Sequence, residues 1–140
     1  MKISEIELDQ VIYCSSNISI PEVAKLLYEN FIRAIYIKEN DKIIGYISDQ
    51  LILRNLSEGK ELSKLNVKDL MISDFPRFDK NTSIEDAYKA IQNITYRLYA
   101  VVSDGEIIGV IPKNRLIRAF SEEEKYQIYN FNERIKQIKL

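Results

Sequence analysis

Apolar residues in this chain follow one rhythm twice. An extended run over residues 11–14 precedes Ile20, Val23, Ala24, Leu27 and Phe31, whose three- and four-residue spacing predicts a helix with one apolar face. Ser19 is placed to cap that helix, with Pro21 in its first turn and Glu22 three residues after the cap. Ile-rich runs over 33–38 and 42–48, parted by Asn40-Asp41, predict two strands joined by a tight turn. A short helix over 49–58, with Ile52 and Leu56 facing inward, ends the unit.

Every step then recurs. Residues 75–78 are extended, Ser83 caps a helix carrying Ile84, Ala87, Tyr88 and Ile91, and strands over 98–102 and 106–111 flank Asp104-Gly105. Leu116, Ile117 and Phe120 line the closing helix. The match holds at a constant offset of 64 residues, from Ser19 to Ser83, and includes Lys25/Lys89, Arg33/Arg97, Gly45/Gly109 and Arg54/Arg118 without a gap. The expected organisation is therefore α/β (α+β): a β-α-β-β-α repeat over 1–58, a linker over 59–66, a second repeat over 67–120 and a terminal helix over 121–140. The strand-helix-strand part of each copy is expected to cross over right-handed. Neither copy can bury its apolar face alone, so the two are expected to pack as one pseudo-symmetric module, and the cleft between them is the first place to look for a site.

Composition narrows the chemistry more than the fold. The chain has 140 residues, 20 basic and 21 acidic, with no basic cluster of the kind that duplex binders gather, so nucleic acid is an unlikely partner. No apolar run approaches the roughly 20 residues that span a bilayer, and residues 1–5 lack the apolar core of a signal peptide, so the expected location is cytoplasmic, with no membrane partner. Histidine is absent, which removes Ser-His-Asp and Cys-His catalysis; with a single cysteine it also removes the usual zinc sites. Cys14 lies in an apolar run and reads as a small buried hydrophobe. Glu85 and Asp86 sit in the first turn of a helix, where acids are favoured, and no partner base is identifiable. The expected protein is not an enzyme and carries no cofactor.

The repeat, the lead-in Val67-Lys68-Asp69-Leu70-Met71 and the hairpin Ser103-Asp104-Gly105-Glu106-Ile107-Ile108-Gly109 resemble a tandem pair of cystathionine-β-synthase (CBS) domains, a Bateman module, over residues 3–120. The resemblance implies two α/β units facing through their sheets, and a regulatory role. Such pairs hold adenosine-containing ligands (AMP, ADP, ATP or S-adenosylmethionine) in inter-repeat clefts and report on them to a partner. It also implies a homodimer, for which Leu26, Leu27, Ile52, Leu53, Ala90, Ile91, Leu116 and Ile117 offer an apolar helix surface.

The family's ligand motif is incompletely kept. Three residues after the hairpin glycine the family has Ser or Thr for phosphate, and six residues after it an Asp for the ribose diol. Here Gly45 is followed by Ser48 and Leu51, and Gly109 by Pro112 and Arg115. Ser48 and Asp49 open a helix, either favouring an anion there or only capping the helix. Arg33 and Arg97, just before the second strand of each copy, either hold phosphate or pair with surface carboxylates. Lys113, Arg115 and Arg118 make a basic cluster suited to an anionic ligand or to a solvated helix face. Tyr13 and Tyr46 either stack on a base or pack at the core rim. The expectation is weak binding of AMP, ATP or S-adenosylmethionine by a module signalling to an unidentified protein partner. The alternative is a degenerate pair without ligand, acting as a dimeric scaffold.

Beyond the repeats, Ser121 with Glu124 reads as a capping box for a separate helix over 121–138. Its Ile128, Phe131, Ile135 and Ile138 form one stripe, expected to dock on the chain's own repeats, on a second subunit or on a partner, in that order.

Overall fold

The structure is a computed structural model and describes residues 1–138, with Lys139, Leu140 and the side chain of Ile138 outside the described set. The chain forms two compact units, one of Gln10–Pro76 and one of Met1–Asp9 with the chain from Arg77 onward.

The Gln10–Pro76 unit contains β1 (Tyr13–Ser15), α1 (Ile20–Glu29), β2 (Ala34–Glu39), β3 (Lys42–Ser48), α2 (Asp49–Ser57) and α3 (Val67–Leu70). Its sheet runs β1-β2-β3, with β1 parallel to β2 and β2 antiparallel to β3. The local signals act as expected. Ser19 accepts from the Glu22 N–H at 3.2 Å while Glu22 reaches back to the Ser19 N–H, a reciprocal capping box that starts α1. Asn40 and Asp41 both take positive φ, 50° and 63°, the conformation a two-residue hairpin needs for its twist to match the strands. Ile20, Val23 and Leu27 of α1 pack with Cys14, Ile35, Ile37 and Ile47 of the sheet.

The other unit repeats this order with β4 (Arg77–Asp79), α4 (Ile84–Ile91), β5 (Leu98–Ser103), β6 (Glu106–Pro112) and α5 (Lys113–Ile138). The sheet is β4-β5-β6 with the same strand directions, and the Asp104-Gly105 hairpin again has two positive φ angles. Ile84, Ala87 and Ile91 pack with Tyr99, Val101, Ile111 and Leu116.

Packing boundaries are offset from the sequence repeat. Val67 and Leu70, which open the second copy, are core residues among the first copy's strands, and Ile3, which opens the first, is core among the second copy's. Ile72 pairs with Tyr46 on β3, and Asp9 pairs with Val110 on β6. Gly45 and Gly109 make both approaches possible. A Cβ on Gly45 would overlap the Met71 side chain, and one on Gly109 would lie 2.9 Å from Leu8 Cβ and 3.1 Å from the Asp9 carbonyl oxygen. The Ile-Ile-Gly signature thus ends in glycine because a lead-in segment lies against each strand at that point.

Several expectations are corrected. Leu56 faces solvent rather than the core. Phe31 is not on the α1 stripe: it follows the helix with φ 54°, its N–H donating to Tyr28 O and the Ile32 N–H to Leu27 O, and its ring is 94% exposed. This is a Schellman-type ending with phenylalanine in the left-handed position that glycine usually fills. Of the residues assigned to a dimer face, Leu27, Ile91 and Leu116 are core and Ile52 is half-buried against it, leaving Leu26, Leu53, Ala90 and Ile117 exposed.

No separate helix starts at Ser121. α5 runs unbroken for 26 residues, and Ser121 lies inside it. With neither Gly nor Pro between Ala119 and Lys125, the backbone has no cause to break, and a capping side chain matters only where it does. Leu116 and Phe120 anchor α5 to its unit, the Phe120 ring stacking on Tyr88 at 3.9 Å. Beyond that point Ile128, Phe131 and Ile135 are exposed, so docking on the chain's own repeats, the first of the expected partners, is not observed for these residues.

Candidate functional site

The predicted residues of the first copy gather at one end of its sheet because of strand register. Ala34 lies opposite Ser48, and the Asp49 N–H donates to the Arg33 carbonyl at 2.8 Å. Ser48 is buried, and its Oγ accepts from the Leu51 N–H at 3.2 Å, so the hydroxyl caps α2. Asp49 Oδ1 accepts from the Gln50 N–H at 2.7 Å, which aims its carboxylate along the first turn. The Arg33 side chain is exposed beside this corner. A helix opening with a capping hydroxyl favours a small anion through its N–H groups and dipole, while the Asp49 carboxylate in the first turn opposes one. Leu51, which stands where the family places its diol acceptor, instead packs against the apolar core.

The two tyrosines separate. Tyr13 is about half exposed on the edge strand β1, opposite Tyr36, with the Lys38 ammonium 4.3 Å above its ring. It lies on the same sheet, two residues along from the Ala34–Ser48 end. Tyr46 is buried, edge-on to Tyr36 at 5.6 Å, and Tyr36 is edge-on to Phe75 at 5.2 Å. That ring belongs to an aromatic core cluster and offers no face for a base.

The second copy puts Lys113 and Arg115 of its basic cluster to structural use, while Arg118 is exposed. Lys113 opens α5; its N–H donates to Arg97 O at 3.1 Å, and its ammonium donates to Ile94 O at 2.7 Å, fixing the turn after α4. Arg115 donates from Nη1 to Glu7 O at 3.1 Å and to Asp9 Oδ1 at 2.8 Å, so its guanidinium ties down the lead-in segment. Arg97 is half-buried at the matching corner, and Pro112 brings no hydroxyl. The structure therefore brings Arg33, Ser48 and Asp49 together, with Tyr13 nearby, and commits Lys113 and Arg115 elsewhere.

Two further groups were not foreseen. Glu39 accepts from Lys68 at 3.0 Å and from Ser16 at 2.9 Å, and the Lys68 hydrogen bond, with that from Ser16, holds its carboxyl below the usual range. Asp9, 106 residues from Arg115, had no local signal. Cys14 is buried as expected, and burial pushes its thiol up to about 11. Among the described residues no group of three acidic, Cys or His side chains could hold a metal ion. No described helix is long and apolar enough to cross a membrane.

Paired three-stranded units of this order, each closed by a helix starting at the hairpin's end, define a class of tandem α+β modules. The CBS domain pattern matches residues 3–58 and again residues 67–122. The chain belongs to the CBS domain family. It is 28% identical over 122 residues to the uncharacterized protein MJ1232 of Methanocaldococcus jannaschii, a match that covers 86% of this chain and 40% of that protein. This chain thus spans well under two thirds of that relative's length. The fold also matches two solved structures. One is the CBS domain pair of protein MJ0100 in complex with 5′-methylthioadenosine and S-adenosyl-L-methionine, with a TM-score of 0.72, 21% identity, and coverage of 88% of this chain and 98% of that one. The other is CBSX2 in complex with AMP, with a TM-score of 0.71, 20% identity and the same coverage.

Proposed function

We propose that this chain is a non-catalytic regulatory module that takes one adenosine-containing or otherwise anionic small ligand at the first copy's sheet end. Arg33 neutralises the ligand's charge, the α2 opening at Ser48 and Asp49 positions it, and Tyr13 lies beside the base. Occupancy is reported to a separate protein, in the cytoplasm, by a homodimer. The observation that carries this reading is the meeting of Arg33, Ser48 and Asp49 at one corner, held by the Asp49 N–H to Arg33 O bond. The ligands named for the MJ0100 and CBSX2 structures support the choice of an adenine compound.

Affinity is modest on this reading. Hydrogen bonds to charged groups contribute about 1.5–3 kcal/mol each, so Leu51 in place of a carboxylate lowers affinity roughly ten- to a hundredfold. Calorimetry with AMP, ATP and S-adenosylmethionine tests this. One site of micromolar or weaker affinity, further weakened by Arg33→Ala, is expected; submicromolar binding or two equivalent sites refutes the assignment.

A second reading, a ligand-free dimeric scaffold, is favoured by one observation: Lys113 and Arg115 are engaged with the chain itself. Calorimetry without heat for any of the three compounds selects it.

A further inference from the structure

The strand pairings of the two sheets coincide at the 64-residue offset, down to the irregularity after Ile37 and after Val101. The two lead-in segments also start in step. The Val67 N–H donates to Ile18 O at 3.1 Å and the Ile20 N–H to Leu65 O at 2.9 Å. Their counterparts do the same, Ile3 donating to Thr82 O and Ile84 to Met1 O, both at 2.9 Å. At the strand edge the step is lost. Tyr46 pairs with Ile72, so the offset requires Val110 to pair with Leu8, yet it pairs with Asp9. The glycines record the same displacement: Met71 lies over Gly45, but Leu8, not Glu7, lies over Gly109. The Met1–Asp9 strap therefore meets β6 one residue further along than the repeat dictates.

The spare residue has a local origin. Asn66 Oδ1 accepts from the Lys68 N–H at 3.0 Å and starts a full α-turn, closed by the Met71 N–H on Val67 O at 2.8 Å. Lys2 stands at the equivalent place with no acceptor on its side chain. The strap makes only a 3-10 turn over Ile3–Glu5, closed by the Ile6 N–H on Ile3 O at 3.0 Å. Side chains then oppose the repeat's register, because a slip of one residue turns each of them to the other face. Leu8 is half-buried against the unit's core and Glu7 is exposed; the repeat's register would seat the Glu7 carboxylate over Gly109 instead. It would also carry Asp9 away from Arg115, whose Nη1 donates to Asp9 Oδ1 at 2.8 Å and to Glu7 O at 3.1 Å. The first copy has Met71 and Leu51 at the places of Glu7 and Arg115, so neither force acts there.

We propose that the Met1–Asp9 strap is a two-register element: its backbone fits β6 in either register, and Leu8 over Gly109 together with Arg115 on Asp9 selects the displaced one. The first copy shows what the other register offers. Tyr46 and Ile72 exchange both backbone bonds at 2.9 and 2.8 Å, as Val110 and Asp9 do at 3.0 and 2.8 Å. The backbone thus gains two bonds either way, and the choice falls to side chains. The Arg115–Asp9 pair is partly exposed and is a weak hold by itself, so both holds have to be removed to move the strap. Arg115 lies in the first turn of α5, and its grip joins the opening of that helix to the edge of β6.

The test is amide hydrogen exchange, read by NMR on the full chain. In the wild type the Asp9 and Val110 amides should be protected and the Leu8 amide should exchange freely; the reverse pattern overturns the displaced register. Glu7→Met with Arg115→Leu writes the first copy's residues into the second. This double variant should protect Leu8 and release Asp9 while Ile3 and Ile84 keep their protection, and continued protection of Asp9 overturns the proposal. Arg115→Leu alone should keep the register and speed exchange at Asp9 and Val110 roughly five- to tenfold. Equal acceleration at Ile3 and Ile84 shows that Arg115 stabilises the unit at large, which overturns its role as a latch. Should the double variant fail to fold, Asp9→Arg with Arg115→Asp decides: the reversed pair should slow exchange at Val110 relative to Arg115→Leu, and exchange as fast as in that variant overturns the latch.

Discussion

Gly109→Ala should damage the fold more than Gly45→Ala, although the latter creates the deeper nominal overlap. At Gly109 the new methyl would sit 2.9 Å from Leu8 Cβ and 3.1 Å from the Asp9 carbonyl oxygen. Both atoms are fixed to the backbone, so relief requires the lead-in to retreat from β6. That strains the Asp9 N–H to Val110 O bond of 2.8 Å and its return bond of 3.0 Å. Two backbone hydrogen bonds contribute about 1–3 kcal/mol together, and the partly exposed Arg115–Asp9 pair adds at most about 1 kcal/mol. The loss of chain entropy in the unfolded state returns about 0.4–1 kcal/mol to the alanine variant. The net expectation is about 2 kcal/mol, a melting temperature lower by roughly 6–8 °C for a chain of this size. At Gly45 the clash is with Met71 Sδ and with its Cγ at 2.8 Å, which an unbranched thioether can swing aside, leaving only the backbone-fixed Met71 Cβ at 3.1 Å to yield slightly, so a cost of about 1 kcal/mol is expected. Thermal melts followed by circular dichroism rank the two variants, and hydrogen exchange at the Val110 amide localises the damage. If Gly45→Ala is as destabilising as Gly109→Ala, or if the Val110 amide keeps its protection in Gly109→Ala, the account of the glycines is wrong.

Other substitutions follow from the same structure. Phe31→Gly should stabilise the protein by roughly 0.5–1 kcal/mol in urea unfolding, since a left-handed non-glycine residue costs about 1–2 kcal/mol and the lost ring is 94% exposed; unchanged or lower stability means the ring has an unrecognised contact. Ser48→Ala should lower stability by about 1 kcal/mol through the lost α2 cap, and a melt unchanged within error refutes the capping role. Burial raises the Cys14 thiol above its ordinary 9.0 to about 11, so the folded state holds the proton more tightly than the unfolded one. The associated stability is complete below pH 9 and is lost as pH rises through about 11. Across that window wild type should weaken more steeply than Cys14→Ala, and parallel stability curves would exclude the effect.

What could be read from the chain alone was whatever depends on neighbours in sequence. Ser19 with Glu22, and Ser83 with its helix, cap because their hydroxyls reach N–H groups three residues on. Asn40-Asp41 and Asp104-Gly105 turn because those residues tolerate positive φ, and the 64-residue echo from Ser19 to Ser83 duplicates the outcome. Such contacts need only a few dihedrals, so local composition decides them. The candidate site was legible in part for the same reason: Arg33, Ser48 and Asp49 meet through a hairpin's own register. Tertiary structure decided the rest. Spacing placed Leu56 and Phe31 inward, but which part of a stripe is covered depends on where the opposing surface stops. Tyr46 and Tyr13 are the same residue type in similar strands, yet one joins Tyr36 in the core and the other stays on an edge. Arg115 read from the chain alone as either an anion-binding group or part of a solvated helix face, and its pairing with Asp9, 106 residues away, was in neither reading. The packing boundaries moved for the same cause, because Ile3 and Val67 each complete a core made by distant strands. Long-range burial is settled by the sum of many weak contacts over the assembled surface, and no window of sequence contains that sum.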